Sequence, residues 1–293
     1  MRINKPIFLN CFSRGGSNIL WNLFLSHPGV CSPVRETLQI FGAFSRHASL
    51  EGFITALLSR QPRLFDQWNL TPRKPISAGA RDYIDRTFQR WVLKTLDDPE
   101  MKFKSESKIY TRVEVQTCRM AAKNNNGLVF LSETLAAIYP QAIFFNLVRH
   151  PYALYDGHRR HKIFSDPLDF ARFYRTVCER MVHDSENRPD CHLARFEDLL
   201  EDPAGFIRDL YLKAGLDFDP RRKVRLKAKP YLHADGSRRS DLETGRHYWI
   251  ITDRLGEFLE AGINRFQSAR LAEEEMEIIR AGNGPLMEKL GYQ

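Results

Sequence analysis

Two short segments carry residue types whose spacing suits the handling of an anion. The first is Ser13–Arg14–Gly15–Gly16–Ser17–Asn18, a polar, glycine-containing turn between an apolar run and an amphipathic stretch. Consecutive backbone N–H groups in such a turn, feeding a helix N-terminus, form a concave anion site to which the helix dipole adds. Gly15 and Gly16 are expected to permit positive φ and close approach of phosphate oxygens. The pattern differs from that of nucleoside triphosphatases, in which a lysine directly precedes the hydroxyl residue. Here Gly16 precedes Ser17, and the cation, Arg14, comes earlier. The second segment is Arg149–His150–Pro151, which stops a nearly continuous apolar run. Ligands of open α/β sheets bind outside the carboxyl ends of the strands, and a guanidinium there can grip a phosphate bidentately. Taken singly, either segment has a plain structural reading: a strand-to-helix turn, or a surface ion pair. The pair is more specific than either member.

The elements that must position them can be read from periodicity. Pro6 to Cys11 reads as a short buried strand, followed by the turn and a helix from about Asn18 that His27–Pro28–Gly29 ends. Strand, tight loop, helix opens a parallel α/β fold. Residues 36–97 read as mostly helical, 97–108 as a charged loop, and 111–122 as another helix broken at Lys123–Asn124–Asn125–Asn126–Gly127. A helix is expected from about Val129 to Tyr139. Ala142 to Val148 suits a central parallel strand. Helices are expected over 152–160, 167–185 and 203–214, a strand over 191–196, and a largely helical tail from Leu255 to Leu290. The expected fold class is α/β, a three-layer arrangement with a central, mostly parallel sheet flanked by helices. No repeat or linker interrupts the chain, so residues 1–293 are read as one domain.

Composition is that of an ordinary globular enzyme, with 43% hydrophobic and 27% charged residues. A net charge of +8 suits an anionic partner, and a loose basic cluster runs from Arg221 to Arg239. No recognised nucleic-acid-reading module accompanies that charge, so no nucleic-acid partner is expected. Cys11, Cys31, Cys118, Cys178 and Cys191 form no C-x-x-C pair, which argues against a disulfide framework and a zinc site. Reduced thiols, a cytoplasmic location and no bound metal are the expectation. No targeting segment or long apolar stretch is visible, so no membrane span is expected.

Four segments in order give the chain a likeness to the sulfotransferases that use 3′-phosphoadenosine 5′-phosphosulfate (PAPS). Ser13–Arg14–Gly15–Gly16–Ser17–Asn18, followed by His27–Pro28, resembles the family's 5′-phosphosulfate loop. Tyr139 to Pro151 resembles its 3′-phosphate segment, Arg195 to Pro203 its R-Y-E-D-L-x-x-D-P segment, and Leu290–Gly291–Tyr292 its common ending. The resemblance implies a P-loop-like sulfotransferase fold that takes PAPS as co-substrate and sulfates a hydroxyl or amine on a small-molecule, carbohydrate or peptide acceptor. It assigns Arg14, Gly15, Gly16, Ser17 and Asn18 to the phosphosulfate and Arg149 to the 3′-phosphate. Gly157 stands where the family has a serine on that phosphate, so Tyr155, His158 or Ser237–Arg238–Arg239 would have to replace its hydrogen bond.

Sulfuryl transfer, like phosphoryl transfer, needs a base for the acceptor and cations near the bridging oxygen. Arg14 is a cation candidate by its place in the loop. Lys123 is a second, by likeness to the lysine that opens the family's K-T-H segment. The histidine of that segment is Asn125 here, and an amide cannot take the proton. Glu36, which follows His27–Pro28 much as the catalytic glutamate does in protein-tyrosine sulfotransferases, is the candidate base, with His47 and His158 as fallbacks. Arg195 and Glu197 read as structural, and Phe170, Phe173 and Tyr174 as core. Two other readings stay open: a PAPS or 3′,5′-bisphosphate binder of the same fold without catalysis, and a P-loop kinase.

Overall fold

A computed structural model describes residues 3–37, 40, 78–227, 243, 245–259 and 262–292. Its centre is a sheet of five parallel strands in the order β2–β5–β1–β6–β7. These are β1 (Ile7–Cys11), β2 (Val30–Cys31), β5 (Arg119–Asn125), β6 (Ile143–Val148) and β7 (Cys191–Arg195). Burial on both faces explains why β1 and β6 read as unbroken apolar runs, since a parallel sheet covered by helices has no solvent side.

The strand period of two sends alternate residues to opposite layers. Phe8, Ala122 and Phe144 join Ile84, Phe88 and Trp91 of α2 (Ala78–Leu93) and Leu135 of α4 (Ser132–Ile138) on one face. Ile7, Leu9, Ala121 and Phe145 pack on the other with Leu20, Leu23 and Phe24 of α1 (Ser17–Leu25) and Leu210 of α8 (Pro203–Lys213). A third cluster joins Phe12 and Val148 to α5 (Pro151–Arg160), α6 (Pro167–Asn187) and α10 (Glu273–Lys289). Phe170, Phe173 and Tyr174 lie in it, and Tyr174 stacks on Phe12 at 5.2 Å between ring centroids. Among the described residues no helix is long and apolar enough to cross a membrane.

Three departures from the sequence reading bear on the site. The expected helix over 111–122 is instead α3 (Arg112–Thr117) followed by β5. The Met120–Ala121–Ala122 run has high helix propensity, yet its place between β1 and β2 decides the outcome, and its small side chains let helices close on both faces. The charged stretch after Asp97 contains a hairpin of β3 (Phe103–Ser105) and β4 (Lys108–Ile109). Part of the basic cluster is an antiparallel ribbon of β8 (Lys223–Lys227) and β9 (His247–Ile251). Of the expected helical region 36–97, residues 38–39 and 41–77 lie outside the described residues.

Toward the carboxyl ends of the strands the apolar face turns polar. Asn124, Asn10 and Asn146 sit in register on β5, β1 and β6. The Asn124 Nδ2 donates to Asn10 Oδ1 at 3.0 Å, and Asn10 Nδ2 donates to Asn146 Oδ1 at 2.7 Å and Ser132 Oγ at 3.0 Å. All three amides are fully buried, so the ladder fixes strand register just below the carboxyl end of the sheet. Asn10→Leu strands the partners on either side and is expected to destabilise the protein by about 3 kcal/mol or more. Urea unfolding of the variant measures it, and a loss under about 1 kcal/mol would show that the ladder carries little.

Candidate functional site

The loop after β1 closes through Gly15, whose N–H donates to Phe12 O at 3.0 Å. Positive φ falls on Arg14 (64°) and Gly16 (94°) and not, as expected, on Gly15. Space demands glycine at position 16 and leaves little room at position 15. A Cβ on Gly16 would sit 2.4 Å from the Phe196 ring, and one on Gly15 would sit 3.0 Å from Phe12 Cβ. α1 begins at Ser17, so the first-turn amides of Ser17 and Asn18 have no intrahelical acceptor, and both residues line the cavity beside the loop.

Lys123 is a strand residue, not a helix end. It pairs in register with Leu9, beside the loop, and is 4% exposed. Its Nζ contacts Glu36 Oε1 at 2.6 Å and donates to Asn18 Oδ1 at 2.6 Å, 5.0 Å above the Trp21 ring. Asn125, which takes the place of the family's histidine, donates from Nδ2 to Glu36 Oε2 at 2.9 Å. Both carboxylate oxygens of Glu36 are therefore held, and the side chain keeps about a third of its surface open. Lys123 is therefore a buried, paired lysine and not a solvated one.

Arg149, at the end of β6, faces the loop: its Nη1 donates to Arg14 O at 2.8 Å. Nε donates to Asn264 Oδ1 at 2.8 Å, Nη2 reaches Asn264 and Gln267, and the guanidinium lies 4.5 Å over the Phe196 ring. Burial pulls its pKa down to about 10, so it stays charged at neutral pH. Asn264 and Gln267 sit on α9 (Ile263–Ser268), within the tail that sequence reads only as helical. Nothing in their local sequence marks them as arginine partners. Glu197 accepts from the His150 N–H and the Tyr292 hydroxyl, both at 2.9 Å, and from Asn264. It thereby ties β6, α9 and the C-terminal turn together. Arg195 donates to Asp198 and to Leu290 O.

Gly157 turns its α5 backbone toward the loop, where a Cβ would lie 3.2 Å from Arg14 Cβ. A serine there would crowd Arg14, which gives a steric reason for the departure. Of the proposed replacements, Tyr155 donates its hydroxyl to Ser165 O and His158 Nε2 donates to Ser13 O at 2.6 Å. Ser237–Arg238–Arg239 and His47 lie outside the described residues. Arg160, which sequence reasoning did not single out, lines the same cavity and is paired with Asp156 at 2.9 Å.

Burial, with the adjacent Arg14 charge as a smaller cause, lowers the His158 pKa to about 4. Such a group is neutral across the physiological range and is poorly suited to be the base. The folded state then binds fewer protons than the unfolded chain between about pH 6.5 and pH 4. Stability is accordingly expected to fall on acidification through that window, by up to about 1.4 kcal/mol per pH unit from His158. Unfolding midpoints at pH 7 and pH 5 for wild type and His158→Gln check this: the variant should show the shallower dependence.

These residues surround one cavity of about 470 Å³, which brings together Arg14, Gly16–Asn18, Glu36, Lys123, Arg149 and Gly157. Its far wall is apolar, with Ile19, Leu200, Phe258 and Phe266. The exposed Arg14 guanidinium makes no ion pair among the described residues, and its pKa is lowered first by partial burial and then by Arg160. Four cations, Arg14, Lys123, Arg149 and Arg160, against the part-exposed carboxylate of Glu36 make the cavity an anion site with an apolar flank.

Comparison with known proteins bears on the family and the fold. The sequence pattern of the sulfotransferase family matches residues 6–220. No curated protein matches. Among solved structures, the sulfotransferase domain from the curacin biosynthetic pathway is 13% identical, with 100% of this chain and 99% of that one covered and a TM-score of 0.51. The sulfotransferase domain of the Synechococcus PCC 7002 olefin synthase is 19% identical over 96% of this chain and 94% of that one, with a TM-score of 0.48.

Proposed function

Because the chain belongs to the sulfotransferase family, we propose that it moves a sulfuryl group from PAPS to a hydroxyl or amine acceptor. The observation that carries this reading is the contact of Glu36 with Lys123, 2.6 Å long, beside Asn18 of the anion loop. A candidate base and a candidate leaving-group cation thus share one wall of the cavity. The amides of Gly16, Ser17 and Asn18 take the 5′-phosphosulfate, and the apolar flank takes the face of the base. Arg149 takes the 3′-phosphate by exchanging the side-chain oxygens of Asn264 and Gln267 for phosphate oxygens. Residues 1–293 act as one sulfotransferase domain.

In the transfer, Glu36 accepts the acceptor's proton as that oxygen or nitrogen attacks sulfur in line. The new bond to sulfur forms as the bond from sulfur to the 5′-phosphate oxygen breaks, leaving the sulfated acceptor and 3′,5′-bisphosphoadenosine. Arg14 and Lys123 neutralise charge on the departing oxygen. Protonation of Glu36 weakens its hold on Lys123, which frees the ammonium for the leaving phosphate at the moment charge develops there.

Transfer of label from [35S]PAPS across a panel of phenols, sugars, amines and tyrosyl peptides tests the reading. Turnover of at least one acceptor class is expected. Tight binding of 3′,5′-bisphosphoadenosine without any turnover would favour a nucleotide receptor instead. Stabilisation by magnesium ATP alone would favour a kinase.

A further inference from the structure

Outside that cavity, Arg225 is a buried cation that makes no ion pair among the described residues. Arg225 is the central residue of β8, and its backbone N–H donates to Ser26 Oγ at 2.7 Å. Val224 and Leu226 on either side face the core with α1. Arg225 lines a second cavity of about 200 Å³, whose edge Leu226 also reaches. The residue is only 3% exposed, yet its side chain makes no hydrogen bond or ion pair among the described residues. The nearest acidic groups, Glu100 and Asp98, lie beyond ion-pair reach, and Glu100 is already taken by Lys227 at 2.9 Å.

A guanidinium that is nearly buried and has no protein partner among the described residues leaves its donors to whatever fills the recess it lines. The surroundings indicate what that is. Trp21, Met101 and Leu226 give the recess apolar walls, the Lys227–Glu100 ion pair also lines it, and His247 is held neutral by burial and by Arg225, its pKa lowered to about 4. With Lys227 and Glu100 neutralising each other, the unpaired Arg225 beside these apolar side chains fits a small anionic group carried on a hydrophobic frame. The recess adjoins the catalytic cavity: Asn18 and Ile19 line both, and Asn18 Oδ1 is 2.6 Å from Lys123 Nζ.

We infer that the recess at Arg225 is an acceptor subsite, and that the acceptor carries a carboxylate in addition to the nucleophile it presents to Glu36. The inference rests on the sulfotransferase reading for the word acceptor, but the anion site itself can be tested apart from it.

Binding of three carboxylate–carboxamide pairs of graded size, namely phenylacetate, 4-hydroxyphenylacetate and indole-3-acetate with their amides, is measured by calorimetry. Wild type and Arg225→Met are compared, each with and without 3′,5′-bisphosphoadenosine. At least one carboxylate is expected to bind wild type about tenfold or more tightly than its amide, and Arg225→Met should lose that preference while keeping its nucleotide affinity. The same variant should melt about 2–4 °C higher, because it removes an unpaired buried charge. A structural arginine would instead give a lower melting temperature. Carboxylates bound no better than amides, or a preference that survives in Arg225→Met, would overturn the subsite. Failure of 3′,5′-bisphosphoadenosine to bind would count against the sulfotransferase reading, and the nucleotide-free arm would still decide Arg225.

Discussion

Glu36→Gln is expected to lower kcat for sulfuryl transfer by about 10²- to 10⁴-fold, the range for loss of a general base. The substitution keeps the side chain's shape. A glutamine oxygen can still accept from Lys123, which now contacts Glu36 at 2.6 Å, so the wall of the cavity should hold. What disappears is the capacity to take a proton. The loss should therefore fall on kcat, with the affinity for 3′,5′-bisphosphoadenosine unchanged within about twofold. Single-turnover rates and nucleotide titrations on the same preparation separate the two. Transfer at the wild-type rate would remove Glu36 from the role and return the search for a base to residues such as His47.

The second large effect concerns Lys123. Lys123→Met preserves an unbranched chain over Trp21 while deleting the charge that lies between Glu36 and Asn18. Loss of one preorganised charge at the leaving group is expected to cost about 10²- to 10³-fold in kcat. The partner Glu36 is part-exposed, so water can replace the ammonium and the fold should survive. Steady-state kinetics beside a thermal melt distinguish the readings. If the ammonium acts only as a buried strut, the melt falls and kcat per folded molecule does not.

Much of the frame that places these residues is legible in the sequence, for a physical reason. β1 and β6 are buried on both faces, so their apolar runs are uninterrupted. The turn between β1 and α1 has to pass close to Phe12 at Gly15 and to Phe196 at Gly16, so it is glycine-rich there. Local chemistry and tertiary role agree there. They disagree at β5. Arg119 to Lys123 is built from good helix formers, and only the neighbouring strands make it extended. The likeness to known sulfotransferases found Lys123 where periodicity alone placed it at the end of a helix. Asn264 and Gln267 carry no signal at all, because they meet Arg149 across more than a hundred residues of chain. Arg225 lay in plain view within a basic cluster. Its lack of a partner is a three-dimensional fact that charge counting does not contain.

The charge arrangement also orders the proposed roles. Arg14 is exposed at the cavity and unpaired among the described residues, whereas Arg149 is buried and fully engaged with Arg14 O, Asn264 and Gln267. Arg14 is thus placed to meet an incoming nucleotide first. Arg149 gains a phosphate only when the ligand is seated.

Calorimetric titration of the wild-type protein with 3′,5′-bisphosphoadenosine and, in parallel, with adenosine 5′-monophosphate bears most directly on whether one nucleotide bridges the glycine turn and the guanidinium ending β6. The expected result is binding of both, with the second phosphate tightening affinity about tenfold or more and Gly16→Val abolishing both through its clash with Phe196. Equal affinity for the two nucleotides, or no heat from either, would contradict it.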